Sequence, residues 1–316
     1  MITRETIRTK DAQSIGITTH IPLRNNGKVV IVGPSAELTQ EQYQAFASYL
    51  AKQDHTVITY DYRGVGRSGP KKLRGYKASL HQWSLQDTDA VLLHVKHRYP
   101  KFQIIYIGHS ISGEIIGMAP ASQYISRMVI VSSALSCKRL FPVKDRIRIG
   151  MLKTMSLISG VLFGYFPGKK LKVMRDLPNG VVYEWANWCR NPNGLFDQYP
   201  DSNFRKLRIP ILVISFSNDW RTPEKAVGEL LKHFTCANIQ WYHLAPEENG
   251  FAKTANPCFF YRQYESTLWK KMSEWLEKDD YAIQMNEVKE ITISYESTFQ
   301  TNKPLGSEER DELSNG

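Results

Sequence analysis

Six consecutive residues, Gly108-His109-Ser110-Ile111-Ser112-Gly113, carry the strongest chemical signal in the chain. They follow the apolar run Gln103 to Ile107 and precede a segment of helical character from Ser112 through Met118. A serine on a strained strand-to-helix turn holds its hydroxyl above a sheet, where it can attack a carbonyl carbon. Small residues must flank that turn, because the strand and helix backbones come close together. Gly108 meets the need, Ser112 stands where the pattern usually has glycine, and Gly113 follows one place later. The bland alternative is an incidental serine in a βα turn.

The elements around this turn set its context. Strand-like segments open the chain at Glu5 to Arg8 and Ser14 to His20. Lys28 to Val32 (KVVIV) is a continuous apolar run ended by Gly33-Pro34, as in a strand buried on both faces. Thr39 to Lys52 has helical spacing, with Thr39 and Gln42 in capping-box positions. His55 to Tyr60 predicts a strand, Leu85 to Lys96 an amphipathic helix, and Arg127 to Val131 a strand. Ile209 to Phe216 and Asn238 to Leu244 are later strands, with a helix from about Pro223 to His233 between them and a closing helix over Tyr261 to Glu277. Strands alternating with helices predict an α/β fold, a mostly parallel sheet covered on both faces. The segment at about 136–203 breaks the rhythm with helical character throughout and is read as an inserted cap on a domain spanning 1–280. Residues 281–316 are polar and acidic and predict disorder, with a stray strand possible at Ile291 to Tyr295.

Asp61-Tyr62-Arg63-Gly64-Val65-Gly66-Arg67-Ser68 resembles the D-x-R-G-x-G-x-S turn of the α/β-hydrolase superfamily. With Pro34 to Gln40, Tyr43 to Ala47, Gly164 to Lys169, Asp176 to Val181 and Trp185 to Arg190, the chain resembles a bacterial family of α/β hydrolases of uncharacterised activity. That family is grouped with serine aminopeptidase-like and esterase-like hydrolases, and the likeness covers roughly Thr6 to Glu277. It implies an α/β-hydrolase fold and serine hydrolysis of a small ester, thioester or amide. Asp61 and Arg63 are expected to fix their loop. The resemblance places the triad acid at Asp219, in the turn after IPILVISF, where an acid holds a histidine tautomer. The competing use of Asp219 is as a cap for the next helix. It also places the oxyanion donors on the backbone N–H groups of Ile111 and of Ser35 or Ala36.

The histidine departs from the family pattern. Chain order puts it after Asp219, where only His233 and His243 remain. His233 ends a predicted helix, where a positive charge is favourable. His243 lies in the strand Trp241-Tyr242-His243-Leu244, short of the loop where the family carries Gly-His-Phe. The matching stretch here is Thr254 to Arg262, with Asn256 at the histidine position. Asparagine takes up no proton near neutral pH. Three readings stay open: His243 is recruited as the base, Glu247 or Glu248 serves instead, or the chain binds a small ligand under the cap without strong catalysis.

Composition bounds the rest. The chain has 316 residues and a formal net charge of +10. From Met285 to Gly316 there are seven acids against three bases, which leaves about +14 on the remainder. No nucleic-acid motif accompanies these bases, and a solvated basic surface is the plain reading. Cys137 to Asp176 holds ten Lys and Arg against two Asp, interleaved with Leu152, Met155, Leu157, Val161 and Phe166, so a lid over an acyl or anionic group is one expectation. No run of about 18 apolar residues predicts a membrane span. The first ten residues lack an apolar signal core, so a cytoplasmic location is expected. The four cysteines fit no zinc spacing and no phosphate-cradling loop is present, so neither metal nor organic cofactor is expected.

Overall fold

The computed structural model describes residues 1–245, 258–278 and 292–294. In chain order the strands are β1 (Ile2–Arg8), β2 (Ser14–His20), β3 (Lys28–Gly33), β4 (Thr56–Tyr60), β5 (Gln103–His109), β6 (Ile125–Val131), β7 (Pro210–Phe216), β8 (Asn238–Leu244) and β9 (Thr292–Ser294). They form one sheet in the order β1-β2-β4-β3-β5-β6-β7-β8-β9. The pairs β1/β2 and β2/β4 are antiparallel, and every later pair is parallel. The helices are α1 (Gln44–Ala51), α2 (Leu80–Gln82), α3 (Asp89–Arg98), α4 (Ile111–Ile115), α5 (Val143–Phe163), α6 (Asn179–Trp188), α7 (Glu224–Leu231) and α8 (Lys270–Leu276). This is the α/β-hydrolase fold.

Side chains alternate across the central strands, so each apolar run feeds two cores. Val30, Val32, Ile105, Ile107, Val129 and Val131 face α1 and α8. Val29, Ile31, Ile104, Tyr106, Met128 and Ile130 face the other way, onto α3, α7 and the segment between β6 and β7. That segment contains α5 and α6. Strand order reverses at β3, because β4 lies on one side of it and β5 on the other. A crevice opens at the carboxyl ends of the strands at such a switch point. The loops after β3 and β5, which carry Ser35 and Ser110, meet there.

Several expected elements differ in detail. The helix expected over Leu85 to Lys96 begins as α2, widens into a π turn at Trp83–Thr88 and continues as α3. Asp87 and Asp89 are buried on this segment, each held by hydrogen bonds to neighbouring elements, so polar anchoring overrides simple amphipathicity. The closing helix is likewise broken into a 3-10 turn, a π turn and α8. His233 lies beyond the end of α7, past the C-cap Lys232. Its ring stacks on Phe196 with centroids 3.4 Å apart, and burial, then Arg205, lowers its pKa. Within Ile291 to Tyr295, β9 pairs in parallel with β8. The rest of 281–316 lies outside the described residues.

Candidate active site

Ser110 has φ 55° and ψ −118°, a conformation that is essentially glycine's alone. The strain persists because the surroundings impose it. A Cβ on Gly108 would stand 2.8 Å from the Gly113 backbone, so strand and helix touch there through two glycines. Ser112, which departs from the usual glycine, has a task of its own. Its hydroxyl donates to Pro34 O at 2.5 Å and is 2.6 Å from Tyr62 Oη. The serine thereby ties the elbow to the loop after β3.

That loop corrects one expectation. The Ser35 N–H donates to Tyr43 Oη at 2.9 Å, and Tyr43 Oη is 2.7 Å from His109 Nδ1. With its N–H already engaged, Ser35 is replaced by Ala36 as the second oxyanion candidate. Ala36, Ser110 and Ile111 all line one cavity of about 450 Å³. Ile111 is the first residue of α4, where helix geometry leaves the N–H without an intrahelical partner. The cavity wall is mostly apolar, with Leu152, Met155, Leu177, Val181 and Val182 supplied from between β6 and β7.

Asp219 is 2% exposed and follows β7. Its carboxylate accepts the Arg221 N–H at 3.0 Å and the Thr222 hydroxyl at 2.8 Å. Burial raises its pKa, opposed by the Thr222 bond. These bonds close the turn that carries Trp220, Arg221 and Thr222 to the cavity wall.

His243 does not join this group. The register runs His109–Val131–Ile214–Tyr242 across β5, β6, β7 and β8. Ser110 and His243, one residue further on, therefore stand at the same level but three strand spacings apart, about 14 Å. His243 Nδ1 is 2.8 Å from Ser215 Oγ on the adjacent strand. The recruited-base expectation fails on that distance. All eight histidines of the chain fall within the described residues, and none of them lines the cavity. Asn256, Glu247 and Glu248 lie outside the described residues.

Two carboxyls that the sequence did not single out do line it. Glu37 pairs with Arg221 at 3.1 Å. Glu114 lies one helical turn beyond Ser110, and burial pushes its pKa up to about 7. Its two oxygens accept the Ser136 N–H at 2.6 Å and the Ser136 hydroxyl at 2.7 Å, and Trp185 Nε1 donates to the same hydroxyl. A lone acid in the apolar stretch Ile111 to Met118 was the available signal. A carboxyl whose folded pKa exceeds its unfolded value binds its proton more tightly when folded, so stability falls as pH rises from about 4.5 to about 7. Glu114→Gln is expected to remove that slope, worth about 3 kcal/mol. Urea midpoints near pH 5 and near pH 8 measure it. An unchanged difference between the two would reject a titrating Glu114.

Arg63 and Asp61 hold the loop after β4. Arg63 Nε donates to Asp87 Oδ1 at 2.8 Å, and its terminal nitrogens grip Asp11. Asp61 accepts the Gln40 and Arg67 N–H groups at 2.8 and 2.9 Å. Both residues are buried in this framework, away from the cavity wall.

Residues 25–176 match the family described as serine aminopeptidase, S33. The match includes Ser110 and stops short of Asp219. No curated protein is similar to the chain in sequence. Among solved structures, an esterase of Exiguobacterium antarcticum shares 12% identity at a TM-score of 0.55, covering 87% of this chain and all of its own. An esterase of Pyrococcus furiosus shares 16% at 0.55, covering 87% and 91%. A hydrolase of Pseudomonas aeruginosa shares 15% at 0.55, covering 87% and 99%. These likenesses establish the fold. Among the described residues no cluster of His, Cys, Asp or Glu could hold a metal ion.

Proposed function

Because the chain is a member of the α/β-hydrolase superfamily, we propose that it takes up a small acyl ester, thioester or amide beneath α5 and α6 and accepts the acyl group on Ser110. The observation that carries this reading is the strained Ser110 at the wall of a largely apolar cavity. Strain at a serine that only its surroundings can impose marks a functional position. Ser110 Oγ bonds to the carbonyl carbon as the alcohol, thiol or amine leaves with the hydroxyl proton. The N–H groups of Ile111 and Ala36 hold the oxyanion. Asp219 positions the turn that bears Trp220 and Arg221, and orients no imidazole.

A histidine-free cavity favours slow release of the acyl group, since water must then attack without a strong base. The same observation supports a second reading, in which the cavity only binds a small ligand.

Fluorophosphonate labelling separates the two. Wild type and His243→Ala are expected to label equally, because His243 serves Ser215 rather than Ser110. Loss of labelling in a folded His243→Ala protein would restore His243 as the base. A cooperatively folding wild type that never labels would leave ligand binding as the function, to be read as a ligand-dependent rise in Tm.

A further inference from the structure

Helix α5 carries an apolar stripe on its outer side as well as apolar residues on its inner side. Val143, Ile147, Met151, Leu157, Ile158, Val161 and Leu162 are all exposed, Val161 to 86%. At about 100° per residue these positions fall within an arc of roughly 140°. The buried positions on the opposite side are Asp145, Ile149, Ser156 and Ser159. A helix of a globular protein puts its apolar stripe inward and its polar face outward. Here a stripe on a 21-residue helix, about 32 Å long, is offered to the outside. Continuous apolar surface of this kind marks a docking face.

Charge identifies what docks. Lys144 and Arg146 are exposed at the start of α5, and Lys169, Lys170 and Lys172 are exposed just beyond its end. The only acids from Cys137 to Asp176 are already engaged. Asp145 is buried against Arg148 at 3.0 Å, and Asp176 accepts the Lys169 N–H. An apolar stripe flanked by bases complements an anionic lipid surface, where the stripe enters the acyl boundary and the bases meet headgroups. A second copy of this chain would bring the same bases face to face and be repelled. No helix among the described residues is long and apolar enough to cross a membrane, so the contact is with the surface.

We propose that the outer face of α5, with the basic loop after it, docks this protein on anionic lipid bilayers. The inner side of the same helix lines the cavity through Ile149, Leu152 and Met155, and Met151 both lines it and reaches the outside. Docking therefore places the cavity beside the acyl region of the bilayer. The inference stands on the helix and its charges and is independent of acylation at Ser110.

Flotation of the full chain with phosphatidylcholine vesicles, with and without phosphatidylglycerol, tests it. Binding is expected to be about tenfold or more stronger to the mixed vesicles and to weaken with salt. The triple variant Ile158→Ser, Val161→Ser, Leu162→Ser is expected to lose about tenfold or more in binding while keeping its melting temperature. Lys169→Gln, Lys170→Gln, Lys172→Gln is expected to bind both vesicles alike. Failure of wild type to float with either vesicle, or equal binding to both, overturns the proposal. So does a wild-type dimer that the serine variant splits while vesicles stay bare.

Discussion

An activated aryl ester is expected to release about one equivalent of phenol per chain in a burst, followed by much slower turnover, and Ser110→Ala is expected to abolish the burst. An aryloxide leaves far more readily than the alkoxide of a serine ester, so the proposed Ser110 nucleophile, with the proposed oxyanion donors beside it, is expected to be acylated faster than water releases the acyl group. Deacylation needs a base for water, and the cavity contains no imidazole. The slow phase should therefore lie about 10⁶-fold below a complete triad, leaving the roughly 10³–10⁴-fold advantage over water that oxyanion and binding terms alone supply. Intact mass should show the acyl group on the wild type. Ser110→Ala keeps the backbone strain and should leave stability within about 0.5 kcal/mol. Ser110→Gly should also lose the burst yet gain about 1 kcal/mol or more, because glycine adopts this conformation freely. A burst that survives Ser110→Ala would place the acyl group elsewhere. Fast turnover with no burst would mean that a base other than histidine serves Ser110.

The second large effect is on stability. Arg63→Ala is expected to cost about 3–5 kcal/mol, since it strands a buried carboxylate. Arg63 is 2% exposed and its partner Asp87 is fully buried. Burial pushes the Asp87 pKa up to about 6 even with Arg63 present. Without the guanidinium that pKa rises further, and the proton is bound more tightly in the folded state. The loss should accordingly be smallest near pH 5, where Asp87 is protonated, and grow as pH rises. Arg63→Ala with Asp87→Asn should recover part of it. Urea midpoints across this range are the measurement, and a loss under about 1 kcal/mol at every pH would refute the assignment. Gly64, next to Arg63, packs tightly on Pro178 at the start of α6, so loosening this loop also loosens the roof of the cavity.

The strands and the elbow at Ser110 were legible in the sequence because they are local. A short β-branched run bounded by turn residues, such as KVVIV before Gly33-Pro34, fits a strand buried on both faces, and a serine between close glycines announces a tight turn. The helix at 85–96 was legible only in outline, because buried Asp87 and Asp89 answer to Arg63, Lys10 and the Ala121 N–H, partners far away in the chain. Residue type alone already showed that no histidine follows the last strand. Whether His243 could stand in was a matter of register. Three strand spacings separate it from Ser110, and a spacing between strands has no signature in either strand's sequence. Which N–H of the loop after β3 is already engaged was equally a tertiary matter, since the hydroxyl of a tyrosine eight residues away takes that of Ser35. Glu114 read as one acid in an apolar helix. Only burial in the packed fold pushes its pKa up to about 7, against the lowering effect of its two Ser136 bonds, because desolvation belongs to the packed molecule and not to the residue.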